Sequence, residues 1–127
     1  MDFHHTERAP KAIGPYSQAV SAGGFVFTSG QVALDPATGE LVPGGFEAQA
    51  RQVLRNLGHV LESAGCSFQD VVKATIFITD LAHFQVLNEL YGEAVGAHRP
   101  ARSTVQVAAL PKGALVEIDL TAIKPGP

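Results

Sequence analysis

The chain has no tryptophan and a single cysteine, Cys66. One thiol cannot form an internal disulfide and provides no Cys pair for a zinc site, a pattern that suits a reducing cytoplasm. The five histidines, His4, His5, His59, His83 and His98, include no H-x-H or H-x-x-x-H pairing with a carboxylate, so no metal site is expected. Basic residues are few and scattered. Nine Lys and Arg stand against twelve Asp and Glu, a formal net charge of −3 with a pI near 5.9, which removes the general attraction for a phosphate backbone that a nucleic-acid partner would exploit. No apolar run approaches the roughly 20 residues of a membrane span, and Met1-Asp2-Phe3-His4-His5 lacks the basic start and apolar stretch of a signal peptide. Neither nucleic acid nor membrane is an expected partner.

What remains is an ordinary globular composition, 46% hydrophobic over 127 residues, enough for one domain with a real core. Glycine and proline divide the first third into short strand-like runs, Ser17 to Ser21, Phe25 to Leu34 and Glu40 to Val42. Gly23-Gly24 is a two-residue hairpin turn and Asp35 to Gly39 a longer one. From Phe46 the pattern becomes helical: Phe46, Ala50, Val53, Leu54, Leu57, Val60, Leu61 and Ala64 recur at spacings of three and four, with Gly65 as a C-terminal glycine. Val71 to Thr79 returns to strand character. Asp80 is a good N-cap for a second helix, Leu81 to about Val95, with Leu81, Phe84, Leu87, Leu90, Tyr91 and Ala94 on one stripe. Two further strands carry Arg102 and Glu117. The order predicts an α+β fold, a mixed sheet with both helices on one face. The other face has no helix to cover it, and the apolar run Phe25-Val26-Phe27 predicts that self-association does so.

Arg102 and Glu117 each interrupt an apolar strand. Alternation places Arg102 with Thr104 and Gln106, and Glu117 with Leu115, Asp119 and Thr121, opposite the continuous apolar set Val116, Ile118, Leu120 and Ala122. If the two strands are neighbours, a guanidinium and a carboxylate project together from the uncovered face, a site for a small anionic substrate. A planar guanidinium suits two-point carboxylate binding, and a partly buried carboxylate suits proton handling. The competing reading is a structural ion pair between the two. Cys66 reads as a loop or core residue, Ser29-Gly30-Gln31 lacks the nucleophile-elbow spacing, and no glycine cluster matches a phosphate loop.

Ala12-Ile13-Gly14-Pro15-Tyr16-Ser17-Gln18-Ala19, Thr28-Ser29-Gly30-Gln31, Asp35-Pro36-x-Thr38-Gly39 and the stretch from Pro100-Ala101-Arg102-Ser103-Thr104-Val105 through Leu110-Pro111 to Val116-Glu117-Ile118 together resemble the Rid family, the RidA or YjgF proteins. The resemblance spans about Ala9 to Ile123. It implies a chorismate-mutase-like α+β fold in one domain, 1–127, assembled as a homotrimer with sites in the clefts between subunits. It further implies hydrolysis of 2-imino acids such as 2-iminobutanoate and 2-iminopropanoate to 2-oxo acids and ammonia, without a cofactor. The family's carboxylate-binding arginine falls on Arg102 and its water-orienting glutamate on Glu117. Its pocket positions fall on Tyr16, Ser29 and Asn88. Thr104 stands where the archetype has cysteine, and Gln106 replaces an acidic residue; the hydroxyl of Thr104 still offers a hydrogen bond. Rival readings are an endoribonuclease or translation-inhibitor activity and a non-enzymatic ligand-binding or chaperone-like trimer. RNA cleavage would call for a basic groove and a histidine pair, and neither is visible.

Overall fold

A computed structural model describes residues 1–126. Its elements run β1 (Asp2–His4), β2 (Ala19–Ala22), β3 (Phe25–Thr28), α1 (Gly45–Ser63), β4 (Val71–Ile78), α2 (Phe84–Val95), β5 (Ala101–Gln106) and β6 (Val116–Ile123). They form one six-stranded mixed sheet in the order β1-β2-β3-β6-β4-β5, with only β4 and β5 parallel. The β2–β3 hairpin closes through Gly23 and Gly24, whose φ values of 59° and 82° are the pair a type I′ turn demands.

The last strand in sequence is central in space, and its alternation organises the domain. Val116, Ile118, Leu120 and Ala122 are buried among the apolar stripe of α1, including Val53, Leu57, Val60 and Leu61, and α2 adds Leu87, Leu90 and Val95 to the same core. The opposite side of β6 carries Glu117, Asp119 and Thr121 at intermediate exposure. That second side of the sheet has no helix over it, and Phe25 (41%), Phe27 (44%), Val105 (43%) and Ile123 (46%) stand exposed there.

Three expectations change. The strand foreseen from Phe25 to Leu34 stops at Thr28, and residues beyond it keep only a bridge between Gln31 and Ile118. Glu40 to Val42 is not a strand; Leu41 makes one bridge to Leu34. The two segments bond to each other, Val42 N–H to the Ala33 carbonyl and Asp35 N–H to the Glu40 carbonyl, each at 2.9 Å, and α1 side chains take further backbone groups of the loops over it. Asn56 of α1, fully buried, donates from Nδ2 to the Leu34 carbonyl at 3.0 Å and accepts from Gln52 Nε2 at 2.8 Å, while Gln49 Oε1 accepts the Leu115 N–H at 2.8 Å. Helix side chains thus complete what isolated bridges leave unpaired. Third, β1 was not foreseen: three residues, two of them exposed, pair with β2 at the sheet edge.

The segment between β1 and β2 is held by one buried side chain. Gln18, 2% exposed, accepts the Thr6 N–H at 2.7 Å and donates to the carbonyls of Thr6 at 3.1 Å and Pro10 at 2.8 Å. Replacing it strands an amide and two carbonyls. Gln18→Ala should lower unfolding free energy by about 3 kcal/mol in urea denaturation and speed hydrogen exchange at the Thr6 amide; unchanged exchange there would show that the clamp does not hold this segment.

Candidate functional site

The Gln18 clamp matters because the segment it fixes walls a cleft of about 410 Å³ on the sheet's uncovered side. Pro10, Lys11, Ile13 and Tyr16 form one wall; Ser29, Gly30 and Gln31 lie along the floor; Pro111, Lys112 and Glu117 close the other side. Glu117 reaches it from β6, where register pairs it with Phe77 of β4. Burial, with a smaller contribution from the Asp119 carboxylate two residues away, pushes the Glu117 carboxyl up from its ordinary range, and burial does the same to Asp119. No salt bridge reaches Glu117 among the described residues. Its ionised form is therefore a poorly solvated, uncompensated acceptor, which strengthens its hold on a water proton.

Ser29 hangs at the end of β3. Its N–H donates to the Gln18 carbonyl at 2.9 Å and its hydroxyl to the Ser17 carbonyl at 2.6 Å, which commits the hydroxyl proton and leaves the oxygen lone pairs for a donor in the cleft. Tyr16 is half exposed, with its hydroxyl oxygen accepting the Ile13 N–H at 3.3 Å. Lys112 sits on a short turn after Leu110-Pro111 with φ 59°, a left-handed conformation that is costly for a side-chain-bearing residue, and lines the cleft, as does Lys11.

Arg102 is elsewhere, and here the expectation of a shared face fails. β4 lies between β5 and β6, so the two strands are not neighbours. Arg102 pairs in register with Ala74, fully buried on the helix-covered side, whereas Glu117 pairs with Phe77 on the other. A guanidinium and a carboxylate two strands apart on opposite faces cannot be a structural ion pair within one chain. That competing reading is excluded.

Arg102 is instead seated on α2. Its guanidinium carbon stands 5.5 Å from the Phe84 ring centre and 5.1 Å from that of Tyr91, and Nη2 donates to Asn88 Oδ1 at 2.7 Å. Residues 84, 88 and 91 follow a helix's spacing of four and three, so one face of α2 supplies both rings and the amide. Two cation–π contacts and one hydrogen bond hold the group, and Asn88 uses one of five N–H donors. The rest are free for an anion. A hollow of about 300 Å³ adjoins it, lined by Asn88, Tyr91, Val95, Arg99 and Arg102 among others. Phe84, foreseen as core, is 40% exposed, and its ring faces Arg102 instead. Thr104 shares the face of Arg102, two residues on, with its Oγ1 buried and unpaired, as is the hydroxyl of Tyr91. Burial raises the Tyr91 phenol above its usual value.

The foreseen residues therefore form two groups. Tyr16, Ser29 and Glu117 meet in one cleft; Asn88, Arg102 and Thr104 meet at the edge strand β5. Sequence reasoning missed Gly30, Lys11, Lys112 and the clamp Gln18, though Gln18 and Gly30 lie within the motifs quoted. It also read Tyr91 as core only. Among the described residues no cluster of His, Cys, Asp and Glu side chains could hold a metal, and no helix is long and apolar enough to cross a membrane.

Comparison with known proteins agrees with this fold and these motifs. Residues 6–124 match the model of the family described as endoribonuclease L-PSP. A RutC family protein of Pyrococcus horikoshii is 50% identical over 119 residues, 94% of each chain. The mouse 2-iminobutanoate/2-iminopropanoate deaminase is also 50% identical, over 94% of this chain and 88% of its own. The crystal structure of RidA from an Antarctic Psychrobacter superposes with a TM-score of 0.93 at 48% identity, covering 97% of this chain and 99% of that one. Matched over nearly its whole length by that family's model and by these relatives, the chain belongs to the endoribonuclease L-PSP family, the Rid proteins that its sequence resembles.

Proposed function

We propose that this protein hydrolyses 2-imino acids, of the 2-iminobutanoate and 2-iminopropanoate type, to 2-oxo acids and ammonia, at sites built between two copies of the chain in a homotrimer. The observation that carries the reading is the division of the site. One face offers a cleft with a poorly solvated carboxylate, lined also by Lys11 and Lys112 but by no guanidinium, the other a seated guanidinium in a hollow with no carboxylate in its lining. Each half lacks what the other has. The uncovered sheet face, with Phe25, Phe27, Val105 and Ile123 exposed, provides the apolar area for bringing two copies together. Support for the chemistry comes from the mouse, bovine and human relatives named 2-iminobutanoate/2-iminopropanoate deaminase, 48–50% identical.

In this mechanism Arg102 of one copy grips the substrate carboxylate through its unused N–H groups, and Asn88, Phe84 and Tyr91 keep it oriented. The imine carbon is already electrophilic when its nitrogen is protonated, so positioning water is the main task. Glu117 of the neighbouring copy accepts a proton as water adds to that carbon, giving a carbinolamine. Glu117 then passes that proton to the nitrogen and, as the C–N bond breaks and ammonia departs, takes up the hydroxyl proton, so that the carbonyl forms. Ser29 Oγ accepts a hydrogen bond from the iminium N–H, and Tyr16 walls the pocket. β5 is an edge strand, so backbone groups along one side of Arg102 to Thr104 have no ladder partner and can hold the developing oxygen, joined by the unpaired hydroxyl of Thr104. No covalent intermediate or cofactor enters.

The direct assay incubates the protein with a threonine dehydratase, threonine and semicarbazide: a deaminase lowers trapping of the imine. Arg102→Lys keeps the charge but not the planar two-point grip, and should lower turnover about tenfold or more. Undiminished turnover would remove the clamp.

Glu117→Gln should reduce turnover about a hundredfold or more. Because burial raises its carboxyl pKa in the folded state, the ionised form weakens the fold above that pKa, and the weakening is relieved as pH falls through it. The variant is therefore expected to melt no lower than the parent at pH 7. In the parent, activity should fall on acidification through a midpoint above the ordinary carboxylate range. A midpoint at or below that range would contradict the role.

The division between copies has its own test. Light scattering should return a trimer. Arg102→Lys and Glu117→Gln chains, unfolded and refolded together in equal amounts, should regain roughly a quarter of the parent turnover, because random mixing leaves about that fraction of sites with both native residues. Failure to regain any would place the two residues' roles within one chain and overturn the shared site.

A further inference from the structure

Gly30 follows Ser29 on the floor of the cleft, and its backbone does not need glycine. It is absent from the positive-φ residues, so an L side chain fits its backbone conformation. The space above it does not. A Cβ built there would lie 2.6 Å from Glu117 Oε2, 2.8 Å from Cδ and 3.1 Å from Cγ, and these are its three nearest neighbours. The first two are closer than non-bonded carbon is found to approach anything.

The backbones cannot separate to make room. Gln31 N–H donates to the Ile118 carbonyl at 2.9 Å and Ile118 N–H returns a bond to the Gln31 carbonyl at 3.1 Å, pinning the residue after Gly30 to the residue after Glu117. Any relief must come from the Glu117 side chain. With no salt bridge on that carboxylate among the described residues, it lies in the space that the missing side chain of Gly30 leaves open. We infer that Gly30 is a positioning residue for the hydration of the imine: its missing side chain is the seat on which the Glu117 carboxylate rests beside Ser29, and a single added methyl group displaces the water-orienting group without touching the carboxylate clamp. The inference rests on the proposed role of Glu117.

The test is a double-mutant cycle of Gly30→Ala and Glu117→Ala on the full-length assembled protein, with melting temperature and turnover in the trapping assay read for all four forms. Gly30→Ala should lower the melting temperature when Glu117 is present and leave it unchanged or raised when Glu117 is alanine, since the clash then has no second partner. It should also cut turnover about tenfold or more, while calorimetric binding of 2-oxobutanoate, which reports the clamp, changes less than threefold. Its residual activity should keep its acid limb at lower pH than the parent's, because a displaced carboxylate regains water. An equal loss of melting temperature in both backgrounds, or parental turnover and acid limb in Gly30→Ala, overturns the inference. Should Gly30→Ala fail to fold, recovery of folding in the double variant supports the contact and continued failure overturns it. Full turnover in Glu117→Ala alone would sink the role of Glu117, and with it the catalytic part of this inference; a surviving coupling in melting temperature would then mark the function, not the contact, as the error.

Discussion

The structure depends on the seating of β6 between β3 and β4. A strand in the middle of a sheet has both edges paired, so its residues have no freedom except to alternate. In this chain the alternation separates Val116, Ile118, Leu120 and Ala122, buried beneath the helices, from Glu117, Asp119 and Thr121 on the open side. A one-residue slip would bury two carboxylates under α1 and expose four apolar side chains. The register that assembles the core therefore also delivers Glu117 to the cleft, with its pKa already raised by the position.

Arg102 obeys the opposite logic. β5 is an edge strand joined by parallel pairing to β4 after the α2 crossover, and the helix that makes the crossover carries Phe84, Asn88 and Tyr91 back over the strand. The guanidinium is thus oriented by its own connection, at short range in sequence, while Glu117 is placed by contacts across the whole chain. In the proposed reaction, this locally held binder and globally held base would meet only where a second copy completes the site. The bare face of the sheet is apolar where Phe25, Phe27, Val105 and Ile123 lie, and polar near Glu117.

Much of this was legible in the residues. The spacing of Phe46 to Ala64, the β-branched run from Val71, the Gly23-Gly24 turn and the alternation of Val116 to Ala122 each reflect a local rule that the fold does not override. Strand adjacency is not local. Nothing in the segments around Arg102 and Glu117 says that β4 will lie between them, and a shared face was a reasonable but wrong consequence of assuming otherwise. The stretch after Thr28 looks like strand because Val32 and Leu34 have strand-like side chains, yet its carbonyls bond to Asn56, a partner 22 residues away that no pattern announces. Phe84 and Tyr91 fit an apolar helix stripe equally well whether they face a core or a cation. Gly30 was visible only as a letter in Thr28-Ser29-Gly30-Gln31; its meaning lies in an atom of residue 117.

The buried amides of α1 carry a consequence for the order of assembly. Gln49 and Asn56 are the partners of backbone groups at Leu115 and Leu34, positions 66 and 22 residues distant. Until α1 docks, those groups bond to water and the segment behind the cleft has no reason to adopt its irregular path. The hairpin and the helices draw on neighbouring residues, whereas the path of this segment depends on the docked helix as well as on its bonds to Ile118 and to residues 40–42. The shape of the cleft on one side of the sheet is accordingly tied to the docking of a helix on the other.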